Sequence, residues 1–287
     1  MRDFDQTEQQ SSRQLVLEVD GTPLHGGASA GYTVQAVLDS FDDAERKRLA
    51  RLRDAIGPAV GIVDSHFDDT PMLLGQLGFT PCRIAGEDLG GSERKLVVIS
   101  CPHRHTRLDH EDTRRFLDRG GILISSDRAI RLPGISTYLK HLSGRGPARA
   151  RLLMEAGTDY PAQPPVWLDP GHLPIDPTSL STRMSSVLAS NALTGEPLVV
   201  HVHAAGGGIV HSVGHWLQIP DESALTSVER RPLRDVPHFR HAGNSYPGIS
   251  LGGFLAQRSM VELLIQGIEA VLEPEGPVEQ SRMERGK

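Results

Sequence analysis

The sequence predicts an α/β protein: a three-layer sandwich with a mostly parallel central sheet, an N-terminal appendage and long C-terminal loops. Three observations carry that prediction. The aliphatic runs at 60–64, 95–100 and 122–125 are continuous rather than alternating, as strands covered on both faces require. Segments of helical periodicity alternate with them through short links, the signature of parallel βαβ units. Each run also ends in polar residues of ligating or catalytic type: Asp64-Ser65-His66, Cys101-Pro102-His103-Arg104-His105 and Ser125-Ser126-Asp127. The carboxyl ends of parallel strands form the ligand edge of such a sheet. These side chains are therefore expected to gather in one crevice.

The elements follow in order. Residues 1–13 are polar and expected to lack order. Residues 14–19 read as a strand ending at the Asp20-Gly21 turn, and 26–31 as a Gly-rich loop. Ser40 with Asp43 resembles a capping box ahead of a helix over 44–56, where Leu49, Leu52 and Ile56 recur at helical spacing. Gly57-Pro58 stops it. Residues 1–57 thus read as an extension that docks on, or covers an edge of, the domain spanning 58–272. Strand 60–64 leads to a helix over 71–77, then strands over 80–85 and 95–100. A helix over 108–117 opens with Asp109, Glu111 and Asp112, which suit a helix N-terminus, and Gly120-Gly121 ends it before strand 122–125. Beyond residue 130 the pattern loosens. A strand is expected over 148–155, and a Pro-rich extended loop over 161–177. Strands 197–203 and 208–213 read as a hairpin around a tight turn. Residues 219–250 read as loop with one short helix over 223–229. A long helix covers 257–272, with Met260, Leu263, Leu264, Ile268 and Val271 as its apolar face. Residues 273–287 read as a flexible tail.

Composition narrows the function. The chain has 287 residues and a formal net charge of −6, with no long basic face, which argues against nucleic acid. No apolar run is long enough to cross a bilayer, and the first six residues hold no apolar core of a secretory signal. Two cysteines suit free thiols in a reducing, cytoplasmic setting. Aromatic content is only 5%, against 30 Gly and 20 Pro, so many turns and a smooth aliphatic core are expected.

The order of elements over roughly 58–130 and 196–272 resembles the class I glutamine amidotransferase-like fold, the broad flavodoxin-like group that includes ThuA-like proteins. The resemblance rests on the turn after strand 60–64 and on Leu96-Val97-Val98-Ile99 leading to a helix and then Gly120-Gly121-Ile122-Leu123-Ile124. It rests also on the late hairpin that ends Gly207-Gly208-Ile209-Val210-His211-Ser212. It implies a flavodoxin-like sandwich and places His211 and His215 near the family's catalytic histidine. The chain departs from the family at the nucleophile, a cysteine in a Gly-x-Cys-x-Gly elbow after the fourth strand. Here that segment is Ile124-Ser125-Ser126-Asp127-Arg128. A strained elbow needs small neighbours, and Cys101 follows the preceding strand. Glutaminase activity is therefore expected to be absent, since a fold does not carry a function across.

Two candidate sites remain. Asp64, His66, His103 and His105 form the preferred ligand set for a divalent metal, zinc or manganese, with Asp68, Asp69 and Cys101 close in sequence. The plainer reading has these side chains bonding loop backbone, capping the next helix or standing in solvent. In the second site, Ser125 or Ser126 is a nucleophile, His211 or His215 its base and Asp64 or Asp127 the orienter. Ser126, Asp127, His211 and His215 are the residues singled out. Backbone capping explains Ser126 and Asp127 as well. His201 and His203 share a strand face and could approach His211, although hydrogen-bonded core or rim histidines are the simpler account. Cys101 reads as an inert buried thiol, Gly206 to Gly208 as a hairpin turn, and Trp216 as packing on the C-terminal helix. The favoured reading is a non-glutaminase, ligand- or protein-binding component of a larger assembly. The alternative is a metal- or serine-dependent hydrolase using the strand-end cluster. A protein partner or homo-oligomer and a small-molecule ligand are expected; nucleic acid and membrane insertion are not.

Overall fold

A computed structural model describes residues 17–19, 22–24, 26–63, 70–100, 102, 105–143, 150–154, 166–168, 173–180, 185–204, 206–217 and 225–273. The aliphatic runs form strands β3 (Ala59–Val63), β5 (Leu96–Ser100) and β6 (Ile122–Ser126), and the mixed segment between the first two forms β4 (Thr80–Ile84). All five residues of β5 and of β6 are buried. The late hairpin supplies β10 (Pro197–Ala204) and β11 (Gly207–Ser212). β7 (Ala150–Met154), β8 (Val166–Leu168) and β9 (Ser185–Asn191) extend the sheet. Its order is β4-β3-β5-β6-β11-β10-β9-β7-β8. The first five strands are mutually parallel, and each of the last four runs antiparallel to its neighbour. Numbered by sequence, the parallel half reads 2-1-3-4-5, the flavodoxin-like order. A separate two-stranded hairpin joins β1 (Leu17–Val19) to β2 (Thr22–Leu24).

Helices cover both faces, giving the three-layer sandwich. Parallel crossovers are right-handed. The crossover from β3 to β4 and the one from β5 to β6 run in opposite directions across the sheet. Helices α3 (Thr70–Gln76) and α4 (His110–Asp118) therefore lie on opposite faces. Helices α1 (Gly26–Asp39) and α2 (Asp43–Ile56) share the α3 face with the long C-terminal helix, α7 (Leu251–Leu272). Two short helices, α5 (Pro133–Ser136) and α6 (Arg240–Ser245), complete the set among the described residues. α7 runs antiparallel to β11: Val210 packs at Gly267, and Gly208 at Val271. Gly207 crosses the backbone of Gly121 so closely that a Cβ there would collide with the Gly121 carbonyl. The hairpin glycines thus serve chain packing.

Several local expectations need correction. Residues 26–31 open helix α1 rather than a loop. Glycine costs a helix about 1 kcal/mol, but Val34, Ala36 and Val37 are fully buried beside α7, and that packing outweighs it. The capping box belongs to Asp42 and Glu45, not Ser40 and Asp43. Asp42 accepts from the Ala44 and Glu45 amides, each at 2.8 Å, and its own amide donates to Glu45 at 2.7 Å. Ser40 instead closes α1 by donating to the Val37 carbonyl. The Pro-rich stretch 161–177 contains strand β8. Residues 227–230 form a turn where a helix was expected. α7 begins at Leu251, capped by Ser250; Gly252 and Gly253 in its first turn disguise the start. β9 and α6 carry no sequence signal that set them apart. The segment 1–13, the Asp20-Gly21 turn and the tail beyond 273 lie outside the described residues.

An ion-pair network ties α2 to α7. Arg48 donates to Glu262 at 3.0 Å and to Glu269 at 2.7 Å. Arg258 reaches back to the Ser40 hydroxyl at 2.8 Å and to Glu45. The Glu262 side chain is only 2% exposed. Removing one partner from a buried pair strands the other charge. Arg48→Met should therefore lower the free energy of urea unfolding by about 3 kcal/mol, and adding Glu262→Met should recover most of the loss. Equal stabilities for native and Arg48→Met protein would show that this pair does not hold the two helices.

Candidate functional site

The carboxyl ends of β5, β6 and β11 lie in register. Ile99, Ser125 and His211 form one cross-strand row; Ser100, Ser126 and Ser212 form the next. Successive side chains on a strand alternate between faces. Val210 packs on α7, so Ser212, Ser126 and Ser100 also face the α7 layer. Ile99, Ser125 and His211 face the α4 layer. Ser126 and His211 are thus on opposite sides of the sheet. It is Ser125 that meets His211, with Oγ and Nδ1 2.9 Å apart.

That pair is sealed. Ser125 and His211 have no exposed surface, and the Nε2 atom of His211 has no hydrogen-bond partner. Burial pushes the His211 pKa down to about 4, against the opposing pull of the Asp127 charge. A general base works best with a pKa near the operating pH, so the ring as it stands is a neutral core group. Asp127 follows β6 directly and begins a 3₁₀ turn over Asp127–Arg131. Its φ of 43° makes it the one non-glycine with positive φ among the described residues. Asp is among the few residue types that enter this region readily. It occupies the strand-to-helix corner where a nucleophile elbow would stand, and its side chain is 3% exposed, with the Arg128 Nε 3.9 Å away. His215 lies beyond β11 and is partly buried.

A second group of hydroxyls gathers at the same edge. The Ser100 and Ser126 side chains are neighbours in register, both buried, and neither has a hydrogen-bond partner. Ser212, next in the row, accepts from the Gly214 amide. Thr70, which opens α3 after β3, is 2% exposed and its hydroxyl is also unpartnered. The chain order reverses between β3 and β5, and ligands of open α/β sheets bind at the carboxyl side of such a switch point. A buried polar group without a partner costs about 1–3 kcal/mol, so three of them at one edge call for an explanation.

Asp64, His66, Asp68 and Asp69 fall within 64–69, and Cys101 and His103 likewise lie outside the described residues. His105 is described and exposed. Among the described residues, no group of three or more His, Cys, Asp or Glu is placed to hold a metal ion. The four late histidines separate into two groups. His201 and His203 share a face of β10, as their spacing predicts, but His201 pairs with Val210 and so faces α7, away from His211. Burial, and secondarily the neighbouring His203, pushes the His201 pKa down to about 4. Trp216 is buried, and Gln257 of α7 donates to its carbonyl at 3.2 Å. At the opposite, amino edge of the sheet lies a cavity of about 590 Å³ lined by Arg94, Lys95, Phe116, Arg119, Gly206 and Val271. Two of its cations are engaged with carbonyls: Lys95 donates to Ala55, and Arg119 to Ser92. No helix among the described residues is long and apolar enough to cross a membrane.

The depressed pKa of His211 gives a signed expectation. The unfolded ring binds a proton near 6.5 and the folded one only near 4, so the unfolded state gains protons first as pH falls. Stability is then full above pH 6.5 and declines toward pH 4, by up to roughly 3 kcal/mol from this group. Denaturant unfolding of His211→Gln should show a shallower acid decline than the native protein; parallel declines would count against a neutral, buried ring.

No protein-family model matches the sequence, and no curated protein matches it. Solved structures give distant likenesses. One is an exo-β-1,4-mannosidase from Opitutaceae bacterium strain TAV5, at 15% identity over 87% of this chain and 44% of that chain, with a TM-score of 0.39. The chain thus spans less than half of that enzyme's length. Another is a cytoplasmic protein from Salmonella typhimurium LT2, at 12% identity over 73% of this chain and 98% of that one, TM-score 0.40. A third is a ThuA-like protein from Parabacteroides merdae, at 16% identity over 77% and 92%, TM-score 0.39. Likenesses this distant decide nothing about activity. The strand order of the chain itself makes it a flavodoxin-like α/β sandwich.

Proposed function

We propose that this protein is a non-glutaminase member of the amidotransferase-like fold that binds a small polar ligand at the carboxyl edge of its sheet, as a cytoplasmic component of a larger assembly or homo-oligomer. One observation carries the reading: the buried, unpartnered hydroxyls of Thr70, Ser100 and Ser126 at the switch-point edge. Each can both donate and accept, which matches a ligand rich in hydroxyl or amide groups. Two further features support it. Asp127, not cysteine, stands at the strand-to-helix corner, and the Ser125–His211 pair is shut inside the core.

A second reading, a serine- or metal-dependent hydrolase, is favoured by the elbow-like backbone of Asp127. In it, Ser125 rather than Ser126 is the hydroxyl within reach of His211, with Asp127 and His215 as further catalytic candidates, and Asp64, His66, His103 and His105 would hold zinc or manganese. Labelling of Ser125 or Ser126 by a fluorophosphonate probe would put this reading first.

Hydroxyls kept for a ligand should burden the free protein. Ser100→Ala and Ser126→Ala are expected to raise unfolding free energy by about 1 kcal/mol each. They should also abolish the melting shift that the native protein shows with one or more members of a panel of small amides and polyols. Destabilised variants, or shifts equal to those of the native protein, would overturn the binding reading.

A further inference from the structure

We propose that His201 and His203 form a binding site for a divalent transition-metal ion of the zinc and copper class, on the α7 side of the antiparallel half of the sheet. The two residues stand one apart on β10, so both project from the same face. Their rings meet edge to face, with centroids 4.2 Å apart and planes at 84°. His201 is buried, and its Nδ1 lies 2.9 Å from the Ser186 hydroxyl. Its Nε2 is buried with no partner.

The His201 ring is held as a ligand would be. A histidine that binds metal through one ring nitrogen commonly has the other tied to a hydrogen-bonding group, which fixes tautomer and ring orientation. With the proton on Nδ1 donated to Ser186, Nε2 presents its lone pair. His203 beside it is partly exposed and supplies the second imidazole. Neutral imidazole suits zinc, copper and nickel, with copper(II) held most strongly. His203 is the partly exposed member of the pair, so an ion enters from its side and water can fill the remaining positions. Without a ligand, the same Nε2 is a buried polar atom with an unmet bond, a cost of about 1–3 kcal/mol. The site is separate from the hydroxyl edge, and its test is independent of the ligand reading.

Copper(II) and zinc are titrated into the full chain carrying no affinity tag, followed by the visible absorption of copper(II) and by the zinc-dependent melting shift. One equivalent should bind. His203→Ala, at a partly exposed position, should abolish binding while keeping the native circular dichroism, and His201→Gln should do the same. Ser186→Ala should weaken binding about tenfold. A double variant of two exposed histidines, His110→Ala with His241→Ala, should bind as the native protein does. No copper band in the native protein overturns the proposal. So does binding that survives in His203→Ala, or that is lost only in the His110 and His241 double variant.

Discussion

The lateral register of β5, β6 and β11 is the constraint on which the rest of the site depends. Hydrogen bonds between parallel strands lock Ile99, Ser125 and His211 side by side, and Ser100, Ser126 and Ser212 one step further along. With a side-chain period of two, a shift of one residue would exchange the two rows between faces. The register therefore joins Ser125 to His211 on the α4 side and leaves Ser100 and Ser126 on the α7 side. Two chemically similar serines acquire different surroundings from one backbone ladder.

The helical layer enforces that ladder. Gly267 and Gly208 let α7 settle directly onto β11, with Val210 and Val271 filling the space. Arg48 and Arg258 then bind α1 and α2 to α7 through Glu262, Glu269, Ser40 and Glu45. Burying charge is costly unless each charge is paired and hydrogen-bonded, and here every carboxylate in the network meets a guanidinium. The residues before β3 thus help to cover one face of the sheet.

Polar groups buried without partners mark where the protein departs from economical packing. Native interiors satisfy most such groups. The exceptions here include the hydroxyls of Thr70, Ser100 and Ser126 at the carboxyl edge and, on opposite faces of the sheet, the ring nitrogens of His201 and His211. Asp127 adds a backbone conformation that few side chains adopt. Strain and unmet hydrogen bonds tend to gather at functional sites, which is why the carboxyl edge, rather than the amino-edge cavity, is the focus of the proposed function. At the amino edge, Lys95 and Arg119 already serve main-chain carbonyls.

The amino-acid order alone was enough for the sandwich class and for β3, β5 and β6, because long aliphatic runs bury the same way wherever they lie, and for the half-exposed β4 that follows β3. It also determined the α4 helix, the β10–β11 hairpin and the absence of a cysteine at the elbow. It could place His201 and His203 on one face, since that follows from strand period alone. Which hydroxyl meets His211 emerged from folding, because register between distant strands is set by backbone pairing and leaves no local trace. The same holds for α1, where burial beside α7 overrides the poor helix propensity of glycine, and for β8 and β9, whose short polar or Pro-flanked stretches become strands only by pairing with neighbours. The orphan hydroxyls were equally illegible: a serine's lack of a partner is a property of everything packed around it, and no reading along one chain can supply that.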